Sequence, residues 1–224
     1  MPKISELPAA VPPLTTAAFL ALVAAGETRR ATLDQVLGLA GLPYVAPDVG
    51  QWITTGAVPS AATNTNGARV ANALDLYPYR PLATLRADQI GTTLTTAATG
   101  ATGRFAIYAS DQVTGRPSTK LFESAAVDFA ATGSKVAAFG SMLTFERGLI
   151  YWVGLRCSAV VTVINIPNVA AADLPAPTLP TATAQPPKIV RRTIAAGTDA
   201  PASWVWSAAE LNNAFPPHLL LRAA

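Results

Sequence analysis

The chain has 224 residues, half of them apolar and 13% charged, which is too apolar for a disordered chain and long enough for one sizeable core, alone or with a small appendage. Sixteen basic and thirteen acidic side chains give a net charge of +3, and no basic run exceeds the pairs Arg29–Arg30 and Arg191–Arg192, so the electrostatic footprint of a nucleic-acid binder is missing. The single cysteine, Cys157, excludes an intrachain disulfide, and its apolar setting in "YWVGLRCSAVVTV" points to a buried, inert thiol.

The opening strip, "KISELPAAVPPL", places Lys3 ahead of Glu6, Pro8, Pro12 and Pro13, which interrupt any apolar run and do not read as an export signal. "FLALVAAGETRRATL" predicts a hairpin: an apolar strand over Phe19–Val23, a turn around Gly26, and a polar return. In "TLDQ", Thr32 with Gln35 three residues on forms a capping-box pattern, predicting a helix of one or two turns through Val36 and Leu37 that stops near Gly38 or Gly41. Such a unit buries too little apolar surface to stand alone, so residues 1–41 read as a docking element.

Residues 42–50 read as a linker, and from Trp52 onward the texture is all-β. "RFAIYAS" (104–110) puts Phe105 and Ile107 on one face, with Arg104 and Tyr108 on the other. "DQVTGRPS" is a turn, "KLFESAAVDF" one or two strands, and "TGSK" (132–135) a further turn. Two strands then flank a turn at Glu146–Gly148. In the second, Tyr151, Val153 and Leu155 alternate with Trp152, Gly154 and Arg156, so both faces are partly apolar, as in an inner strand. Residues 149–166 carry Arg156 near their middle and are rich in β-branched and aromatic residues, so they read as strand and no membrane insertion is expected. The six prolines of 167–188 predict an extended surface segment, and "KIVRRTIAA" and "HLLLRA" supply closing strands around a short loop or helix at "SAAELNNAF".

Little here could build a catalytic centre. His218 is the only histidine, and one His with one Cys cannot make a zinc site. "GATGR" (100–104) reads as a turn rather than a phosphate loop, and Asp48, Asp111, Asp173 and Asp199 stand beside turn residues. No enzymatic activity, metal or cofactor is expected, although two suitably spaced carboxylates are all a glycosidase needs. Trp52, Tyr77, Tyr79, Trp204 and Trp206 occur in loop-like or boundary contexts such as "LYPYRP". Rings so placed either contact glycans, by stacking on sugar faces, or plug the ends of a sandwich.

"ISELPAA" followed by "AFLALVAAGETRRATLDQVL" resembles a short module at the N-termini of tailed-bacteriophage structural proteins, especially tail-fibre and head-fibre proteins. Ile4, Ser5, Glu6, Leu7 and Pro8 match its start, and Gly26, Thr28, Thr32, Leu33 and Gln35 match the rest. The stretch from 103 to 155 resembles β-sandwich domains of phage fibre and receptor-binding proteins, through Ile107–Tyr108, Gly115–Pro117, Thr132–Gly133 and Tyr151–Trp152.

The resulting expectation is a mainly β chain. An N-terminal hairpin and short helix (1–41) form a virion-attachment module, 42–50 a linker, and 51–224 an antiparallel, jelly-roll-like β-sandwich. The resemblance implies a virion protein of fibre or spike type and a homotrimer, with capsid, tail or fibre-base subunits as partners and host surface glycan as a target. Docking would use Ile4, Leu7, Pro8, Leu14, Phe19, Leu20, Leu22 and Val23, by strand pairing and apolar burial. A purely structural decoration or connector protein, a polysaccharide depolymerase and a cellular carbohydrate-binding module are the alternatives.

Overall fold

The structure, a computed structural model, describes residues 19–24, 27–32, 47–55, 65–166, 189–212 and 214–224, the first two stretches as backbone. The chain divides into two compact units, Met1–Val45 and Ala46–Ala224. In the first, β1 (Phe19–Ala24) and β2 (Glu27–Thr32) pair antiparallel from Phe19↔Thr32 to Ala24↔Glu27. The apolar strand and its polar return thus pair along their whole length. Thr32 closes β2; the helix expected beyond it lies outside the described residues, as does the proline-rich stretch 167–188.

The second unit is a β-sandwich. Its strands are β3 (Trp52–Thr54), β4 (Thr65–Ala68), β5 (Ala73–Tyr79), β6 (Leu85–Thr96), β7 (Thr102–Ser110), β8 (Pro117–Glu123), β9 (Val127–Asp128), β10 (Gly133–Phe145), β11 (Tyr151–Cys157), β12 (Thr162–Asn165), β13 (Ile189–Thr193), β14 (Leu211–Asn212) and β15 (Leu220–Ala223). One sheet is built on β6. The strand β10 runs along one side of it, while β15 and β12 share the other side in tandem, backed by β3 and β4. The second sheet has the order β14-β13-β5-β11-β7-β8, with β9 also on β7. Every strand pairing in both sheets is antiparallel.

The main core lies between the sheets. It takes Leu85, Ile90 and Leu94 from β6, Phe139 and Phe145 from β10 and Leu221 from β15; the other sheet contributes Tyr77, Phe105, Ile107, Val153 and Leu155. Each such large side chain, once out of water, contributes about 1.5–3 kcal/mol. As anticipated, Phe105 and Ile107 share the core face of β7, and β11 is an inner strand buried along its whole length. Its opposite face is covered too. Trp152 joins Leu74, Leu76, Tyr108 and Val190 beneath a C-terminal stretch that supplies Ile194, Ala200 and Trp204. The second sheet is therefore packed on both sides, which explains the near-continuous apolar texture of β5 and β11.

Some local expectations change. "LYPY" is not a loop but the end of β5, buried at every position despite Pro78. The reason is the register: β13 pairs β5 only at Ala73–Leu76, so at Pro78 the missing N–H faces a side where the ladder has already ended. Gly133 opens β10 instead of closing a turn, and Gly103 lies inside β7, where a Cβ would stand 2.3–2.5 Å from three atoms of the Phe129 ring. "SAAE" forms one 3₁₀ turn, Ala208–Glu210, with the Ser207 hydroxyl accepting from the Ala209 N–H.

Candidate functional site

Three of the five aromatics marked for glycan contact are interior. Tyr77 is fully buried, its hydroxyl against Thr55 Oγ1 and accepting from the Leu219 N–H at 3.3 Å. Tyr79 packs edge-on against Phe145, with centroids 5.9 Å apart. Trp204 is buried on the far side of the second sheet. There it meets Tyr108 edge-on at 5.3 Å and the Arg192 guanidinium at 3.9 Å, and donates from Nε1 to Glu210 Oε2 at 3.1 Å. These three rings hold the sandwich together and are closed to a ligand. Trp206 is half-buried with Arg116 5.0 Å from its ring centroid.

Of the residues marked for docking, Ile4, Leu7, Pro8 and Leu14 lie outside the described residues. Phe19, Leu20, Leu22 and Val23 are in β1, opposite Thr32, Ala31, Arg29 and Thr28 of the polar return.

Trp52 is the most exposed of the five, at 39%. It stands on β3 opposite Arg222 of β15, which in turn stands opposite Gln89 of β6. Its ring reaches over Gly91: a Cβ there would sit 3.4 Å from Trp52 Cη2 and 3.3 Å from Val136 Cγ2. The missing Cβ at Gly91 leaves room for the Trp52 ring and for Val136, itself 40% exposed, on either side of β6. A bulge supplies the polar rim. Arg222 pairs with Gln89 but Ala223 pairs with Ala87, so Asp88 is the extra residue and both side chains reach the same guanidinium.

Arg222 donates to Asp88 in a bidentate arrangement, with Nε to Oδ1 at 2.8 Å, and its Nη2 and Nη1 lie 3.0 and 3.2 Å from the Gln89 side-chain oxygen in the amide orientation that satisfies both groups. The Arg222 hydrogen bond holds the Asp88 carboxyl below the usual carboxylate range, so it is an ionised acceptor at neutral pH. Nearby, His218 Nε2 lies 3.1 Å from Thr54 Oγ1, and burial lowers the imidazole below its ordinary value. An exposed aromatic ring beside a fixed carboxylate, guanidinium and amide suits the C–H face and hydroxyls of a sugar. Sequence could mark Trp52 but not its partners, because the bulge that gathers Asp88, Gln89 and Arg222 leaves no local signature.

The other charged set at the core is internal. Asp75 receives Arg191 through Nε at 2.6 Å and Nη2 at 2.9 Å, and Arg69 through Nη1 at 3.2 Å; Arg69 also reaches Asn165 Oδ1 and the Phe215 carbonyl. Cys157 lies in this neighbourhood, and burial pushes its thiol up to about 12. Arg69 and Asp75 are almost wholly buried, so this network ties strands together and meets no ligand. Among the described residues, no group of three or more His, Cys, Asp or Glu is placed to hold a metal ion, and no helix is long and apolar enough to cross a membrane.

No protein-family model matches the chain, and no curated protein is similar to it.

Proposed function

We propose that the chain is a bacteriophage virion protein of the fibre or spike type, attached through its N-terminal unit and displaying a sandwich that contacts host surface glycans. The observation that carries this reading is the Trp52 face: an exposed indole reaching Gly91 beside the Asp88–Gln89–Arg222 cluster. A sugar would stack its apolar face on the ring while its hydroxyls take hydrogen bonds from Arg222 and Gln89 and give one to Asp88. The division of the chain into a small N-terminal unit and a larger sandwich unit supports an anchor-and-display arrangement. The attachment residues remain Ile4, Leu7, Pro8, Leu14 and the β1 positions Phe19, Leu20, Leu22 and Val23, with other virion subunits as partners and a homotrimer as the assembled form.

A glycan array probed with the full chain and with Trp52→Ala tests the contact. Glycans retained by the wild type and lost by Trp52→Ala support the reading. An array on which the wild type retains nothing contradicts it and favours a decoration or connector role. Release of shorter sugars from a retained polysaccharide would instead favour a depolymerase.

A further inference from the structure

On the outer face of the second sheet, Arg104 of β7 and Arg156 of β11 are directly opposite one another. Two like charges in that relation repel, and a fold retains them where an anion stands between. The anion is Glu123, at the end of β8. Its Oε1 lies 3.8 Å from Arg104 Nη1 and 3.6 Å from Arg156 Nη2; Lys120 Nζ donates to its Oε2 at 2.8 Å; and the Ala200 N–H donates to both oxygens. One nearly buried carboxylate thus answers three cations. The account does not balance: Arg156 is more than nine-tenths buried, and its Nη1 has no hydrogen-bond partner.

Beside this cluster lies an open cleft of about 400 Å³, walled by Leu121 and Ala125 and lined by Arg104, Lys120, Asp199 and Glu123, whose carboxylate is already taken up by the cations around it. Asp199 supplies the missing charge from outside. Its Oδ1 accepts from Arg104 Nη1 at 2.6 Å, yet the side chain is 73% exposed. An ion pair so open to water is worth at most about 1 kcal/mol, so a competing carboxylate displaces it at small cost.

We propose that this cleft is a second binding site, which takes the carboxylate of an acidic sugar on Arg104 in place of Asp199, with Lys120 and Arg156 supplying the surrounding positive field. The planar guanidinium fork suits a carboxylate, and the exposed Leu121 offers the sugar ring an apolar wall that inorganic phosphate cannot use. That the carboxylate is borne by a sugar rests on the glycan reading above; the preference for a carboxylate rests on the cleft alone.

The test is an NMR-monitored titration of the full chain at low salt with methyl β-D-glucuronoside, the uncharged methyl β-D-glucoside, and inorganic phosphate at matched ionic strength. The glucuronoside shifts resonances of the 104 and 120–125 segments, and the glucoside does not. Arg104→Gln weakens the glucuronoside by about tenfold or more, the loss expected for a charge-assisted hydrogen bond. Asp199→Asn removes the internal competitor and tightens binding by up to about fivefold, a gain that a damaged fold cannot produce. Resonances of residues 52, 88–91 and 222 are followed in the same titration, so failure of the cleft and failure of the Trp52 face are told apart. Absent shifts with the glucuronoside, equal binding of glucoside or phosphate, or wild-type affinity in both cleft variants would overturn the proposal.

Discussion

Arg104 and Arg156 stand side by side on neighbouring strands and share one carboxylate, that of Glu123. This pairing fixes the edge of the second sheet. Glu123 belongs to β8, pairs in register with Ala106 of β7, and also accepts from Ala200 in the C-terminal stretch that covers the sheet. Glu123→Gln would take the carboxylate from the nearly buried Arg156 and leave Arg104 with the exposed Asp199 alone. Breaking a buried ion pair from one side typically costs about 3–5 kcal/mol; because Arg104 is partly exposed, a loss of about 3 kcal/mol in urea unfolding is expected. A loss below about 1 kcal/mol would show that the carboxylate is dispensable.

Gly103 sits beneath Phe129, which seals the β7–β9 end of the main core. Gly103→Ala places a methyl within the ring's contact distance and forces either the ring or β7 to move. The expected cost is about 1–3 kcal/mol, read as a lowered unfolding midpoint with unchanged m-value. A midpoint equal to the wild type's would mean that the ring moves freely.

His218 gives the fold an acid sensitivity of known sign. Burial depresses its folded-state pKa below the ordinary 6.5, so the unfolded chain binds the proton more readily. The stability linked to the neutral ring is complete above that ordinary value and is lost as the pH falls through the folded one. His218→Gln keeps a polar partner for Thr54 and removes the titration. The variant's unfolding midpoint should fall less steeply than the wild type's from about pH 7 to about pH 5. Parallel profiles would remove His218 from the acid response.

Cys157 should behave as an inert core residue. It is fully buried, and the thiol is pushed up to about 12, so the reactive thiolate is scarce at neutral pH. A thiol reagent is expected to modify the native protein only as fast as the sandwich opens, with the rate rising with urea. Rapid labelling of the native state, independent of urea, would contradict that burial.

Local alternation made much of the sandwich legible. Phe105 with Ile107, and the two apolar faces around Tyr151–Arg156, follow from period-two patterning alone. The hairpin follows from an apolar run, a glycine and a polar return. The interior role of Tyr77, Tyr79 and Trp204 was legible only as one of two readings, because the choice depends on partners far along the chain. Pro78 made a central strand look like a loop until the short pairing of β13 was known, and Trp204 is buried because residues 194–204 fold back over β5, β7 and β11. For the same reason the Asp88–Gln89–Arg222 cluster and the row of arginines over Glu123 are invisible in sequence: each is a product of register between distant strands.

In the proposed arrangement, a small N-terminal unit attaches a self-sufficient displayed sandwich. The most direct measurement compares the full chain with residues 46–224 alone, following urea unfolding, oligomeric state by light scattering, and attachment to virion particles that lack the protein. The account predicts that the shortened chain unfolds cooperatively and keeps its oligomeric state but no longer attaches. A shortened chain that fails to fold, or that attaches as well as the full one, would contradict it.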